Sequence, residues 1–225
     1  MNTSESFDDL NQSKASFEDI YYKPEPSAYF ETLGALSYAI PGEAKPVLRE
    51  TIDQFREIRG MTKSVRVLDV GCSYGVNSAL LKFNFDMNDL YAYFAEGDRT
   101  EVDQVLTEDS KFFALQPQSE DIEMVGLDAA GPAVDYATRT GLLDEGIVAD
   151  LESCAASGDV KEKLNGTDLV ISTGCVGYVG EKTFETILSL QDEAEPPWIA
   201  SFVLRMFPFD DIAQSLEAFG LETEK

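Results

Sequence analysis

"VRVLDVGCSYGVNSALL", residues 65–81, decides the fold. Its first six residues are largely apolar and β-branched, with no clean alternation, as a parallel strand buried on both faces requires. An acid, Asp69, stands near the end of that strand. Gly71 and Gly75 follow, four residues apart, and lead into an apolar run with helical spacing. A strand that passes through a glycine-bearing turn into a helix brings bare backbone N–H groups and a helix N-terminus to one point, where a nucleotide-like ligand binds. The dinucleotide signature is G-x-G-x-x-G, whose glycines admit a pyrophosphate to the backbone. Here Ser73 takes the second glycine's place and Asn77–Ser78 stands where the third would be. The loop therefore suits a ligand that approaches the backbone closely but carries no diphosphate.

Working outward, strands are expected at "IEMVGLD" (122–128), "GIVAD" (146–150), "TDLVIST" (167–173) and "WIASFVLR" (198–205). Helical patterns fall between and after them, at about 75–83, 131–141, 160–166, 181–191 and 210–220. Pro132 near the start and Gly141 at the end mark the helix 131–141. Strands alternating with helices give an α/β fold, doubly wound and Rossmann-like, with a mainly parallel sheet. Residues 17–60 read as a helical N-terminal cap, broken at Pro24 and Pro26. A helix is expected over 46–59, with Pro46 at its first position, a stripe of Val47, Leu48, Ile52, Phe55 and Ile58, and Gly60 as its stop. Residues 1–16 are polar, Ser-rich and acidic and read as a mobile tail. The α/β domain is expected over 61–225, with two further helical patterns at about 84–120.

Composition narrows the function. The 225 residues carry 42 acids against 17 bases, a formal charge of −25, and that field repels nucleic-acid backbones and anionic membrane surfaces. There is no histidine, so the usual general base and the commonest metal ligand are both missing. Cys72, Cys154 and Cys175 are widely spaced and form no C-x-x-C pair, so no metal is expected. Sparse, odd cysteines suit a reducing cytoplasm, and neither a secretory leader nor a membrane-spanning run is evident.

Three acids fall at or beside three consecutive strand ends: Asp69, Asp128 and Asp150. An acid after the second strand commonly accepts hydrogen bonds from ribose hydroxyls. At the third, an acid suits the exocyclic amine of a base such as adenine. "VLDVGCSYG" resembles motif I of the class I S-adenosylmethionine-dependent methyltransferases, (D/E)-x-G-x-G-x-G, matching at Asp69, Gly71 and Gly75 and departing at Ser73. "VGLD", "VADLE" and "DLVIST" resemble the family's next three strand motifs, in order, so the resemblance covers about 65–220.

That resemblance implies a sheet in the order 3-2-1-4-5 and S-adenosylmethionine as cofactor, released as S-adenosylhomocysteine. It puts Asp69 and Gly71 near the methionine end, Asp128 on the ribose, and Asp150 with the Leu151 backbone on adenine, with Ser73, Gly75 and Ala129 also among the cofactor-binding residues. The loop after the fourth strand, "STGCVGYVGEKTF", would meet the acceptor, with Thr173 and Tyr178 as candidate catalytic groups and Cys175 beside the substrate. Aromatic residues of the cap, among them Tyr21, Tyr22, Tyr29 and Phe30, would cover cofactor and acceptor, and a sulfonium gains cation–π attraction from such rings. That loop lacks the Asn/Asp-Pro-Pro-Tyr of methyltransferases acting on nucleic-acid amines, so a small-molecule acceptor is expected.

Two departures stand out. Asp128 lies 59 positions beyond Asp69, where related nucleotide folds have about 20, so 84–120 is an insertion, a substrate cap, a dimer contact or a surface decoration. The family's last two strands are expected to be absent, which leaves the fifth as an exposed edge open to a homodimer contact. A non-catalytic subunit that only binds the nucleoside is the alternative, because no general base can be named and Ser73 breaks the motif.

Overall fold

The computed structural model describes residues 18–97, 99–191 and 196–225; the expected tail, 1–16, lies outside the described residues. Five strands, β1 (Val65–Val70), β2 (Ile122–Asp128), β3 (Glu145–Val148), β4 (Leu169–Thr173) and β5 (Trp198–Phe202), form one sheet in the order β3-β2-β1-β4-β5. Every pairing is parallel, with Val67 opposite Met124 on one side and Leu169 on the other. This is a Rossmann-like doubly wound sheet whose order reverses between β1 and β4. Ligands of such sheets bind at that reversal, beyond the strands' C-terminal ends.

Successive side chains on a strand point to opposite faces, so the sheet makes two cores. Val65, Val67, Met124, Leu169 and Ile171 pack under α1 (Glu18–Tyr21), α2 (Ser27–Ala35), α3 (Ile40–Arg59), α4 (Val76–Leu81), α5 (Met87–Phe94), α6 (Val102–Ala114) and α7 (Gly131–Arg139). Leu68, Val70, Val125, Leu127, Ile147 and Val170 pack under α8 (Gly158–Leu164), α9 (Glu181–Ser189) and α10 (Asp210–Glu217).

Strands β1 and β2 have the bounds their sequence predicts. The third strand is shorter at its end. It stops at Val148, because the Asp150 carboxylate accepts from the backbone N–H of Glu152 and Ser153 and turns the chain. The fifth stops at Phe202, and among the described residues no strand lies beyond it. The helix before β1 begins six residues earlier than the expected 46. Pro41 takes the first-turn position that suits proline, and Pro46 lies inside the helix, where it removes one amide donor. The buried stripe is Ala44, Leu48, Ile52 and Phe55; Val47 and Ile58, expected in it, face outward. The helix does stop at Gly60.

The insertion is two helices, α5 and α6, packed on the cap by aromatic contacts. Phe94 stacks on Phe30 of α2 at 4.3 Å, and Tyr93 stacks on Phe112 at 4.0 Å. Asp109 of α6, buried, accepts from Tyr93 (2.7 Å), Tyr136 (2.6 Å) and both terminal nitrogens of Arg99. Nε of Arg99 donates to Glu25, between α1 and α2, at 3.1 Å. One buried acid thus ties the insertion to the cap and to α7. Removing the cation strands a buried carboxylate, which costs about 3–5 kcal/mol. Arg99→Ala is therefore expected to lower the urea-unfolding free energy by about that much, with Arg99→Lys restoring only part because the forked donor is lost. A loss under about 1 kcal/mol would show that the network does not hold these segments together.

Candidate functional site

A cavity of about 380 Å³ opens at the C-terminal ends of β1, β2 and β4. The wall built by β1 is the opening motif. Gly71 has φ +73°, and a Cβ there would come within 2.6 Å of the Cys175 Cβ, so only glycine fits. Ser73 also adopts a left-handed conformation, φ 48°. That conformation costs a non-glycine residue about 1–2 kcal/mol. An offset is visible: the Ser73 N–H donates to Oδ2 of Asp128 at 2.8 Å, while Oδ1 of Asp128 accepts from the Ala130 N–H at 2.9 Å. The acid at the end of β2 thus fixes the shape of the loop after β1.

Gly71, Ser73, Asp128, Ala129, Asp150, Leu151, Thr173, Cys175, Tyr178, Tyr22 and Tyr29 all line the cavity, so most of the predicted site residues share one space. Gly75 and Asp69 do not line it. Gly75 caps α4 in a left-handed conformation, and a Cβ there would meet Ala137 and Leu142 at 3.1 Å, so its role is helix packing. Asp69 lies fully buried behind the wall, where its Oδ1 accepts from Asn77 at 2.9 Å. Burial, and less strongly the charge of Asp128, push its carboxyl up to about 7 against the pull of the Asn77 bond. Two buried polar atoms at this wall, Oδ2 of Asp69 and Oγ of Ser73, have no hydrogen-bond partner among the described residues. Such atoms are costly unless something completes them.

The opposite wall is the loop after β4. Thr173 Oγ1 accepts from Asn77 at 3.1 Å, and the Cys175 thiol donates to the Val70 carbonyl at 3.2 Å. Cys175 is thus a packing group against Gly71 as well as a lining one. Cys72 is also buried, its sulfur against Gly126, and burial pushes its thiol well above the usual range. Tyr178 is half exposed at the rim.

Sequence reasoning passed over Asn77 as a site residue, together with Tyr38, Glu152 and Thr183, all of which line the cavity. Asn77 bridges Asp69 and Thr173, and its place in the opening motif was the available signal. Glu152 caps α9, its Oε1 accepting from the Gly180 N–H, the Thr183 N–H and the Thr183 hydroxyl, a long-range pairing with no local pattern. The cap roofs the cavity with Tyr21, Tyr22, Tyr29 and Tyr38, and no described residue of 84–120 lines it. The insertion buttresses that roof from behind. Tyr74, beside Ser73, shares its hydroxyl proton between the carbonyls of Ile20 (2.7 Å) and Lys23 (2.9 Å), so the glycine loop also holds the segment bearing Tyr21 and Tyr22.

Charge in the cavity has one sign. Asp128, Asp150 and Glu152 line it, and among the described residues no lysine or arginine does. Burial raises the Asp128 carboxyl despite its backbone hydrogen bonds, whereas hydrogen bonds from Ser153 lower that of exposed Asp150. Burial pushes the Tyr21 hydroxyl up to about 12 and also raises those of Tyr29 and Tyr38, so all three stay neutral. Among the described residues no cluster of three His, Cys, Asp or Glu is placed to hold a metal, and no helix is long and apolar enough to cross a membrane.

No protein-family model and no curated protein matches the chain. Two solved structures are similar to it in shape. One is a TehB-like S-adenosylmethionine-dependent methyltransferase from Corynebacterium glutamicum, 20% identical, TM-score 0.46, with 88% of this chain and 82% of that one covered. The other is magnesium protoporphyrin IX methyltransferase (ChlM) from Synechocystis with bound S-adenosylmethionine, 14% identical, TM-score 0.45, covering 100% and 91%.

The buried acid gives a pH signature. A carboxyl raised from about 4 unfolded to about 7 folded holds its proton longer in the native state, so its contribution is full below about pH 4 and lost as pH rises through 7. At about 1.4 kcal/mol per unit, that is at most about 4 kcal/mol. Asp69→Asn should therefore gain stability relative to the native chain by up to that amount as pH rises from about 4 to about 7, read by urea unfolding at each pH. A difference that stays constant with pH would show that Asp69 does not titrate in this range.

Proposed function

We propose that this chain is an S-adenosylmethionine-dependent methyltransferase acting on a small molecule. One observation carries the reading. At the strand-order reversal, a close-approach glycine loop, the Asp128 carboxylate and the uncompleted Ser73 hydroxyl share a cavity with no basic side chain among the described residues that line it, and the uncompleted Asp69 oxygen lies buried behind its wall. A pyrophosphate-bearing nucleotide in such a cavity would meet acids and no side-chain cation, which argues against a nicotinamide cofactor. A nucleoside with hydroxyls, an amine and a sulfonium suits the same lining. Bound there, S-adenosylmethionine would supply an electrophilic methyl group whose leaving group is a neutral thioether.

The chain's own residues then have separable tasks. Asp128 keeps lone pairs beyond its two backbone bonds and would accept from ribose hydroxyls. Asp150 and Leu151 would hold the base. Ser73 Oγ would gain a partner at the amino-acid end of the ligand, with the Asp69 carboxylate behind it. The tyrosine roof would exclude water, and Thr173 and Tyr178 would face the acceptor. Since the leaving group is neutral, holding the acceptor in line supplies much of the rate, and a strong base is needed only for an acceptor that enters protonated. The cavity's size and the chain's charge of −25 favour a small acceptor over a nucleic acid.

Calorimetry tests the reading. S-adenosylmethionine and S-adenosylhomocysteine should bind, and NAD should not; silence from both nucleosides would end the proposal. Binding without any methylated product across a broad metabolite extract would favour a binding-only subunit. Asp128→Ala should weaken S-adenosylhomocysteine binding by at least about 1–2 kcal/mol, because it removes charge-assisted acceptors. Ser73→Ala is the cleaner probe. It deletes a buried hydroxyl that lacks a partner, so unfolding stability should hold or rise while nucleoside affinity falls about threefold to tenfold. Unchanged affinity in both variants would put the ligand elsewhere.

A further inference from the structure

The nucleoside residues occupy the β1–β2–β3 side of the cavity, which leaves the side between β4 and the cap. Its walls are the rings of Tyr21, Tyr29 and Tyr38, with Asn77, Thr173 and Cys175 on the strand side. The Tyr21 and Tyr29 rings meet edge to face at 5.7 Å. The Tyr38 hydroxyl stands against the Gly174 backbone, where a Cβ would lie only 2.9 Å from it. The three hydroxyls lie near enough to raise one another's titration: Tyr29 feels Tyr38 and Tyr21, and Tyr38 feels Tyr21. Asp69 bears on Tyr29 and Tyr38, and Asp128 on Tyr21. Tyr29 is buried but for 4% of its surface and lines this cavity. Lys182, the cation that bears on Asp150, donates to the Glu152 carbonyl at the far rim.

We propose that this tyrosine-walled end of the cavity is the acceptor subsite and that it takes an amine while rejecting carboxylates and phosphates: the amine arrives as an ammonium ion, gives one proton to water, and its freed nitrogen lone pair then bonds the methyl carbon as the thioether leaves. The proposal rests on the methyl-transfer reading for the word acceptor, but its chemistry stands on the lining alone. Aromatic faces attract a cation and are indifferent or hostile to an anion. Buried carboxylates nearby add an attraction of the same sign. Among the described residues that line it there is no lysine or arginine to neutralise an anion, and the sequence has no histidine. Neutral hydroxyls and the Thr173–Asn77 pair offer hydrogen bonds to an N–H group without opposing its charge.

Matched probes test it: benzylammonium, benzyl alcohol and benzoate share one ring and differ in charge. Each is titrated calorimetrically into the native protein with and without saturating S-adenosylhomocysteine. Benzylammonium should bind at least about tenfold more tightly than either other probe. Tyr38→Leu should cut ammonium affinity about tenfold more than it cuts S-adenosylhomocysteine affinity, and Tyr38→Phe, which keeps the ring, should restore most of it. Benzoate or benzyl alcohol binding as tightly as the ammonium, or no ammonium binding in a protein that does bind the nucleoside, would overturn the proposal. Ammonium preference without any nucleoside binding would uphold the cation subsite and overturn the methyl-transfer reading instead.

Discussion

The bond from the Ser73 N–H to the Asp128 carboxylate is the constraint on which the rest of the site depends. It joins the loop after β1 to the end of β2 across neighbouring strands. It holds a serine in a backbone region that glycine occupies more readily, and so gives the loop its close-approach shape without the usual second glycine. The same loop then carries Tyr74, which reaches up to the cap, and Gly71, which lets Cys175 close in from β4. Sheet, roof and the wall after β4 are registered against one another through these few residues.

A second layer of constraint lies behind the first. Asp69 is buried with one oxygen bonded to Asn77 and the other without a partner, and the Asn77 amide reaches Thr173 on the far wall. Keeping such a buried group ionised is unfavourable, and a cation placed nearby would relieve it. A site that holds an uncompleted acid and an uncompleted hydroxyl trades stability for binding, a common pattern at functional sites. The insertion contributes at one remove: Asp109, satisfied by Arg99 and two tyrosines, fixes the aromatic layer against which the roof rests.

Much of the fold was legible because it rests on local patterns. Buried parallel strands read as continuous apolar runs, and β1 and β2 fall where those runs lie. Helix starts were harder. Pro46 looks like a first-turn residue, yet Pro41 fills that place, because Pro41 and Ala44 extend the buried stripe upstream. At the site, Asp128, Asp150 and the glycine loop were readable from strand-end chemistry. Asn77 was passed over although it stands in the opening motif, and Glu152 was not readable, since it acts through partners distant in sequence. Gly75 shows the converse: a motif position whose visible work is packing. Ser73, the apparent flaw in the motif, turns out to adopt the glycine-like conformation itself.

The most direct test is a crystal structure of the protein with S-adenosylhomocysteine. The account predicts the ribose hydroxyls on Asp128, the Ser73 hydroxyl hydrogen-bonded to the amino-acid end of the ligand, and the sulfur facing the space walled by Tyr21, Tyr29 and Tyr38. A ligand bound outside this cavity, or one that leaves Asp128 and Ser73 untouched, would contradict it.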